Sequence, residues 1–363
     1  MVWERLGNLI ENINERNTDL KVSLLLGVNL DKKFFPSIAN IIGTDLSTYK
    51  IVRKGQFACK LMSVGRDGVL PLGFLEDYDE AIVSGAYYAF KVKDETIILP
   101  QYLMLCMSRK EFDRELWFRS GGDVRGGTSW EELCSIKIPV PTLEEQQQIV
   151  NSYKSIEERI KLKKQINDNL ESQAYTYYQD KIVDKGKDST LSDLAIITMG
   201  TSPDGESFND IGNGVVFYQG RTDFGFRFPT IRLYTTEPKR FAEKNDILMS
   251  VRAPVGDINI AKDYCAIGRG IASIRPKDGC YSFLFYTLKQ LNHELQRFND
   301  DGTVFGSITK DDLFALKIVS LSAEDRRQFD EQISKIDALI KDNETEIANL
   351  QLACSLLLSR LAN

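Results

Sequence analysis

The sequence predicts an α+β chain made by duplication. Two tandem mixed α/β domains are each followed by a long helix, and the two helices pair as an antiparallel coiled coil in a pseudo-twofold arrangement. Three observations carry this. A shift of 180 residues brings Leu133, Lys137, Ile138, Glu144, Gln148, Ile156 and Ile160 onto identical residues at 313, 317, 318, 324, 328, 336 and 340. After each of these passages the apolar residues recur in alternating steps of four and three, the heptad pattern of a coiled-coil seam. Before them, each copy is rich in short apolar runs and glycine turns. The period is far too long for a solenoid, so the repeat is a whole domain plus its helix. The domains are placed at 1–141 and 188–321, with helix and linker at 142–187 and the second helix at 322–363.

The stretch K-I-P-V-P-T-L-E-E-Q-Q-Q-I-V at 137–150 marks where the first helix leaves its domain. Ile136 and Ile138 flank Lys137 as in a strand, while Pro139 and Pro141 bar that strand from a sheet interior. Thr142 then serves as N-cap, with Glu145 completing a capping box. The first seam runs Ile149, Tyr153, Ile156, Ile160, Lys163, Asn167, Leu170, Ala174, Tyr177. The second runs Phe329, Ile333, Ile336, Ile340, Asn343, Ile347, Leu350, Cys354, Leu357, Leu361. If Ile149 packs near Leu361, Asn167 meets Asn343. Either each is a tolerated polar residue, or they form a buried amide pair that fixes register. On the second view, Asn343→Leu should stabilise the helix pair and loosen its register.

In the first domain, strands are expected at 23–28, at 51–61 with a turn at Gly55-Gln56, and at 82–92 as one long strand or a pair. Pro100 opens an amphipathic helix to about Arg119, and 120–130 is a basic glycine-rich loop. Residues 184–189 form a polar linker. The second domain offers strands at 215–219, 245–252 and 266–275. The acid pairs Glu131-Glu132 and Asp311-Asp312, just before strands expected at Leu133 and Leu313, suit turns or helix starts better than a metal-bound nuclease pair.

Composition excludes several classes. One histidine and six cysteines without C-x-x-C spacing leave no zinc site, and scattered cysteines suit a reducing cytosol. The lone His293 falls within an amphipathic helix. No phosphate-binding P-loop or dinucleotide motif is present, nor the Asn-Pro-Pro-aromatic tetrapeptide of amino-methylating enzymes. No signal peptide or membrane span is expected. Net charge is −6, yet residues 217–275 hold ten Lys/Arg against six Asp/Glu, while 144–180 hold seven acids and five bases and 324–349 hold eight and four. The positive charge therefore belongs to the second globular domain and the negative charge to the helices.

The passages at 138–150 and 318–329, with G-T-S-P-D-G at 200–205, N-D-I-L-M-S-V-R-A-P-V-G at 245–256 and C-A-I-G-R-G at 265–270, resemble the specificity subunits of type I restriction-modification systems. The second copy departs at Val319, Leu321, Arg326 and Arg327, where the first has Pro139, Pro141, Gln146 and Gln147. The resemblance implies two target recognition domains reading the halves of a split sequence in double-stranded DNA, held apart by the helices. It implies a cytoplasmic, non-catalytic chain that binds two methylation subunits to form an adenine methyltransferase, and that two restriction-translocation subunits can join. S-adenosylmethionine and ATP belong to those partners, so this chain has no cofactor of its own. Helices of about 40 residues reach roughly 60 Å, against roughly 34–36 Å for a turn of DNA.

Candidate DNA contacts are Lys60, Arg66 and Arg125 in the first domain and Gln219, Arg221, Arg252 and Arg269 in the second. Arg and Gln offer bidentate pairing to guanine and adenine edges, while Lys favours phosphate. Each could instead be a solvated charge, and Arg252 and Arg269 could pair with structural carboxylates. Two other functions stay open: a coiled-coil scaffold for protein partners, and a DNA-modifying enzyme with an unrecognised motif.

Overall fold

A computed structural model describes residues 2–37, 43–120, 127–299 and 306–361. Most of the expected loop at 120–130, and with it Arg125, lies outside the described residues. The chain divides into two compact units, Met1–Lys161 with Asn349–Asn363, and Leu162–Ala348. The helices α2 (Leu143–Ile182) and α4 (Ala323–Arg360) each contribute one part to either unit.

The first unit is built on an antiparallel sheet of β1 (Ile10–Ile13), β2 (Phe57–Cys59), β3 (Leu72–Phe74) and β4 (Tyr88–Val92), in the order β1-β4-β2-β3. The second repeats this topology with β5 (Ala195–Met199), β6 (Ile247–Ser250), β7 (Ile258–Ile260) and β8 (Ile271–Pro276), in the order β5-β8-β6-β7. The central strands are covered on both faces, which is why they read as unbroken apolar runs rather than alternations. Phe57 lies between Phe74, tilted at 4.7 Å, and Phe90, stacked at 4.9 Å. A five-stranded mixed sheet in the second unit includes Val215–Tyr218 running parallel to Cys265–Ile267.

Gly55, at φ +83°, turns the expected 51–61 run into Lys50–Arg53 and β2, which belong to different sheets. The 82–92 run likewise splits into Glu80–Val83 and β4. The helix expected over 100–119 breaks in two, α1 (Pro100–Met107) and Lys110–Arg119. Arg109 is the cause: its backbone is extended, and its buried guanidinium donates to the Cys106 carbonyl at 2.9 Å and the Leu361 carbonyl at 2.9 Å. No strand forms at Leu133 or Leu313. Both lie in one-turn helices whose acids cap the start, Ser129 with Glu132 and Thr309 with Asp312. The strands follow directly: among the described residues Lys137–Val140 pairs only with Val2–Arg5, an edge that tolerates Pro139, and Lys317–Ile318 pairs with Ser189–Thr190.

At the start of α2 the Glu145 amide donates to Thr142 Oγ1 at 3.3 Å and the Thr142 amide to Glu145 Oε2 at 2.9 Å. At α4 the Asp325 amide likewise donates to Ser322 Oγ at 3.1 Å, while the Ser322 hydroxyl donates to Asp325 Oδ2 at 2.7 Å. One turn in, the wholly buried Gln146 accepts from the Leu99 amide at 2.8 Å and donates to the carbonyls of Ile97 at 2.9 Å and Pro141 at 3.0 Å. Arg326, its counterpart 180 residues on, donates to the Leu321 carbonyl at 2.5 Å and to Asp278 at 2.6 Å. The sequence departure thus replaces an amide by a guanidinium, while the carbonyl of the corresponding residue, Pro141 or Leu321, is still bonded.

Along the helices, Ile156, Ile160, Leu170, Ile336 and Leu350 are half-buried, while Phe329, Ile333, Ile340 and Ile347 are buried. In the first unit Ile149 and Tyr153 pack into the core with Leu358 and Leu361, and in the second Tyr177 stacks on Phe329 at 5.6 Å. Asn343 donates to Asn167 at 2.8 Å and accepts from Lys163 Nζ at 2.8 Å, while Asn167 donates to Glu344 at 3.0 Å and Lys163 pairs with Glu346 at 2.9 Å. The three polar seam positions, Lys163, Asn167 and Asn343, are therefore one connected network. This reverses the expectation for Asn343→Leu, which would leave the buried Asn167 side-chain oxygen without its donor and take one acceptor from the Lys163 ammonium. We expect a loss of about 1–3 kcal/mol in urea unfolding; a gain would show that the network is not coupled to stability.

Candidate nucleic-acid interface

Four of the candidate side chains meet at one edge of the second unit. β5, β6 and the start of β8 end side by side, since Met199 and Met249 both face Ala272. The loops that leave them are bound backbone to backbone. The Thr201 amide donates to the Ile267 carbonyl at 3.1 Å, the Val251 amide to Gly270 at 3.0 Å, and the Gly268 amide to Tyr218 at 2.8 Å. A Cβ at Gly200 would run into the Gly268 carbonyl, and one at Gly270 would stand 2.8 Å from the Gln219 carbonyl. The glycines of G-T-S-P-D-G and C-A-I-G-R-G are thus what let these loops close together.

Gln219 and Arg269 are exposed at this edge, with Gln219 held through its amide to Asp223 at 2.9 Å and Arg269 through its amide to Ser202 at 3.2 Å. Arg252 is exposed on a loop tied by the fully buried Ser250, whose hydroxyl donates to Pro254 at 2.7 Å and accepts from the Asp257 amide at 3.0 Å. Among the described residues neither Arg252 nor Arg269 has an ion-pair partner. Arg221 does pair, with Asp257. The structural carboxylate of this region, Asp246, is satisfied by Arg275 at 2.7 and 2.9 Å and by Ser273 at 2.7 Å.

In the first unit the loop leaving β2 occupies the position of the loop leaving β6. The Thr128 amide donates to Leu61 at 3.3 Å as the Ile308 amide donates to Val251 at 3.1 Å. Lys60 begins this loop, half-buried, with its ammonium 6.0 Å from the Tyr87 ring. Arg66 is exposed but forked on the adjacent Asp67 at 2.7 and 2.8 Å. Met62, 63% exposed, and Trp117, 40% exposed with its indole N–H on the Gly65 carbonyl at 3.3 Å, share that surface and were not anticipated.

Sequence reasoning also missed Arg227. Its guanidinium is 1% exposed and donates to Asp337 at 2.9 Å on α4, Glu171 at 3.2 Å on α2 and the Tyr286 hydroxyl at 3.2 Å on α3 (Tyr281–Gln290). It stacks over the Phe285 ring at 4.1 Å. Burial disfavours its charge, but Tyr286, Asp337 and Glu171 outweigh that and hold its pKa above the ordinary value. Nearby, Asp330 of α4 accepts the amides of Phe283 at 2.8 Å and Ser282 at 3.3 Å at the start of α3. Burial nevertheless pushes its carboxyl up to about 6.

The edge combines fixed backbone with exposed arginine and glutamine, an arrangement able to grip phosphates and fork onto base edges. Among the described residues no cluster of His, Cys, Asp or Glu could hold a metal ion, and no helix is long and apolar enough to cross a membrane. His293 lies in the one-turn helix Asn292–Leu295.

Comparison with known proteins agrees with this architecture. The putative type I restriction enzyme MjaX specificity subunit of Methanocaldococcus jannaschii is 32% identical over 244 residues, 61% of this chain and 57% of that protein. The type I restriction enzyme HindI specificity subunit of Haemophilus influenzae is 25% identical over 202 residues, 52% of this chain and 43% of that protein. The chain spans about half the length of these curated relatives in the matched regions. The crystal structure of a type I restriction-modification S subunit from M. genitalium shares the fold, with a TM-score of 0.59 over 99% of this chain and 95% of that one at 14% identity. The type I restriction modification DNA specificity domain is matched twice, over residues 70–172 and 184–351, once for each copy of the repeat. With most of its length matched in this way, the chain belongs to the type I restriction-modification DNA specificity family.

Proposed function

We propose that this chain is the DNA-recognition subunit of a type I restriction-modification complex. Each globular domain reads one half of a split double-stranded target, and the paired helices hold the two readers. Two methylation subunits, bringing S-adenosylmethionine, bind the duplicated frame as an adenine methyltransferase, and two ATP-driven restriction-translocation subunits can join. The chain itself does no chemistry and works in the cytoplasm, where its DNA is. The observation that carries this reading is the specificity domain matched twice on a duplicated domain-plus-helix frame. A twofold frame suits two identical partners.

Within the second domain we assign base or phosphate contact first to Arg252 and Arg269, whose side chains have no carboxylate to leave among the described residues, and then to Gln219. Arg221 and Arg66 would have to exchange Asp257 and Asp67 for DNA, as phosphate-seeking side chains. Lys60 and Arg125 complete the set in the first domain. The test is duplex binding by the assembled methyltransferase. Arg269→Ala is expected to weaken binding by about 1–3 kcal/mol and relax specificity at one position if it forks on a base. If it holds a phosphate, the loss is uniform across sequences and the salt slope falls by about 1. Unchanged affinity for both Arg252→Ala and Arg269→Ala would place the DNA on another face.

A further inference from the structure

We propose that Arg227 is a positioning residue, keying the base-reading loop of the second domain to both long helices so that half-site readout and half-site spacing are coupled. The proposal rests on the functional reading above and adds a residue and a role to it.

Arg227 belongs to the loop that starts at Gln219, and that loop is bonded along its whole length. The Gln219 amide donates to Asp223 Oδ2 at 2.9 Å, and Asp223, 1% exposed, also takes Arg232 at 2.8 Å through Oδ1. The Thr230 amide donates to the Asp223 carbonyl at 2.7 Å. Gly225 is clamped by Asn259, its amide donating at 3.0 Å and its carbonyl accepting at 3.1 Å. The Arg227 carbonyl accepts from the Ile260 amide at 2.9 Å. From there the side chain spans the distance to α2 and α4, ending on Glu171 and Asp337. Asp337 in turn accepts the Ser282 hydroxyl at 2.6 Å, so the same carboxylate also ties α3.

Stability gives little reason to keep an arginine here. A buried ion pair is often matched or exceeded by well-packed apolar side chains, and this one leaves its Nε without a partner. What an apolar residue cannot do is fix direction. A planar guanidinium whose two terminal nitrogens end on different helices sets the loop against both at once, which lysine, a single point charge, does only in part. Those helices are the elements expected to determine the separation of the two readers, so a loop locked to them carries its base contacts at a fixed offset.

The experiment uses the full chain assembled with its methylation subunits, and duplexes holding the target with its natural spacer or one base pair more or fewer. The variants are Arg227→Met, Arg227→Lys and Glu171→Gln, each checked for folding by circular dichroism. With Arg227→Met, binding to the natural site should weaken roughly tenfold, the scale of one mismatched pair. The preference for the natural spacer over the altered ones should shrink by a similar factor. The penalty for a mismatch in the first half-site should stay as in the parent. Arg227→Lys and Glu171→Gln should fall between, and they answer the question alone if the methionine variant does not fold. Equal loss on all three spacers, or unchanged spacer preference in the folded variants, overturns the proposal. A parent complex with no preference for any split site refutes the functional reading instead, before any variant is compared.

Discussion

Replacing Lys32 by methionine is expected to destabilise the first unit by about 3–5 kcal/mol, the usual result of removing one member of a buried pair. The Lys32 ammonium donates to Asp113 at 2.8 Å, and both side chains are nearly closed to solvent, at 7% and 11%. Burial pulls the lysine pKa below its ordinary value, with Asp113 opposing. Asp113 also accepts the Leu70 amide at 3.0 Å, so it cannot leave the interior when its partner is removed. Methionine fills the space of the lysine stem but leaves a carboxylate with one donor in an apolar surrounding. The double variant Lys32→Met, Asp113→Asn keeps an acceptor for Leu70 without the charge and should recover most of the loss. Urea unfolding followed by circular dichroism reads both, and a single-variant change below about 1 kcal/mol would contradict the argument.

Gln146→Leu should have the next largest effect. Leucine matches the volume of the wholly buried Gln146, but three groups lose their partners: the buried carbonyl of Pro141, and the Leu99 amide and Ile97 carbonyl at the part-buried margin of the site. At about 1–3 kcal/mol for each stranded group, partly relieved by relaxation, the cost is about 3 kcal/mol. The loss should concentrate where α2 leaves its domain. Amide exchange would quicken at the first turns of α2 and around Ile97 to Leu99, while the second domain keeps its protection. Uniform acceleration across both domains would mean that Gln146 supports the whole chain rather than this junction.

Much of the architecture could be read before any coordinates, for a physical reason. A heptad seam, a capping box and a 180-residue repeat are local or periodic, and they survive in a single sequence. The sheet order β1-β4-β2-β3 and its copy β5-β8-β6-β7 were beyond reach, because strand pairing joins residues far apart along the chain. The break at Ser108-Arg109 was missed because the apolar period continues through it. Only the reach of Arg109 to Leu361 reveals why the helix stops. The helices at Leu133 and Leu313 were mistaken for strands, although Ser129 with Glu132 carries the cap signature that would have identified the first of them.

The candidate interface was legible as loops but not as chemistry. Arg252 and Arg269 were given a second possible role as partners of structural carboxylates, yet Asp246 is taken by Arg275 and Ser273. Arg66 and Arg221 are the ones in ion pairs. Arg227 looked like one more base in a basic stretch. Its partners Glu171 and Asp337 lie 56 and 110 residues away, and nothing local marks it.

The central claim, that this chain directs adenine methylation to one split sequence, is tested most directly by sequencing the methylated genome of cells with and without its gene, alongside capture of its partners. The account predicts that methylation disappears from a single two-part sequence while other sites keep theirs, and that methylation subunits are recovered with the chain. Unchanged methylation with no methyltransferase bound would contradict it and put a coiled-coil scaffold in its place.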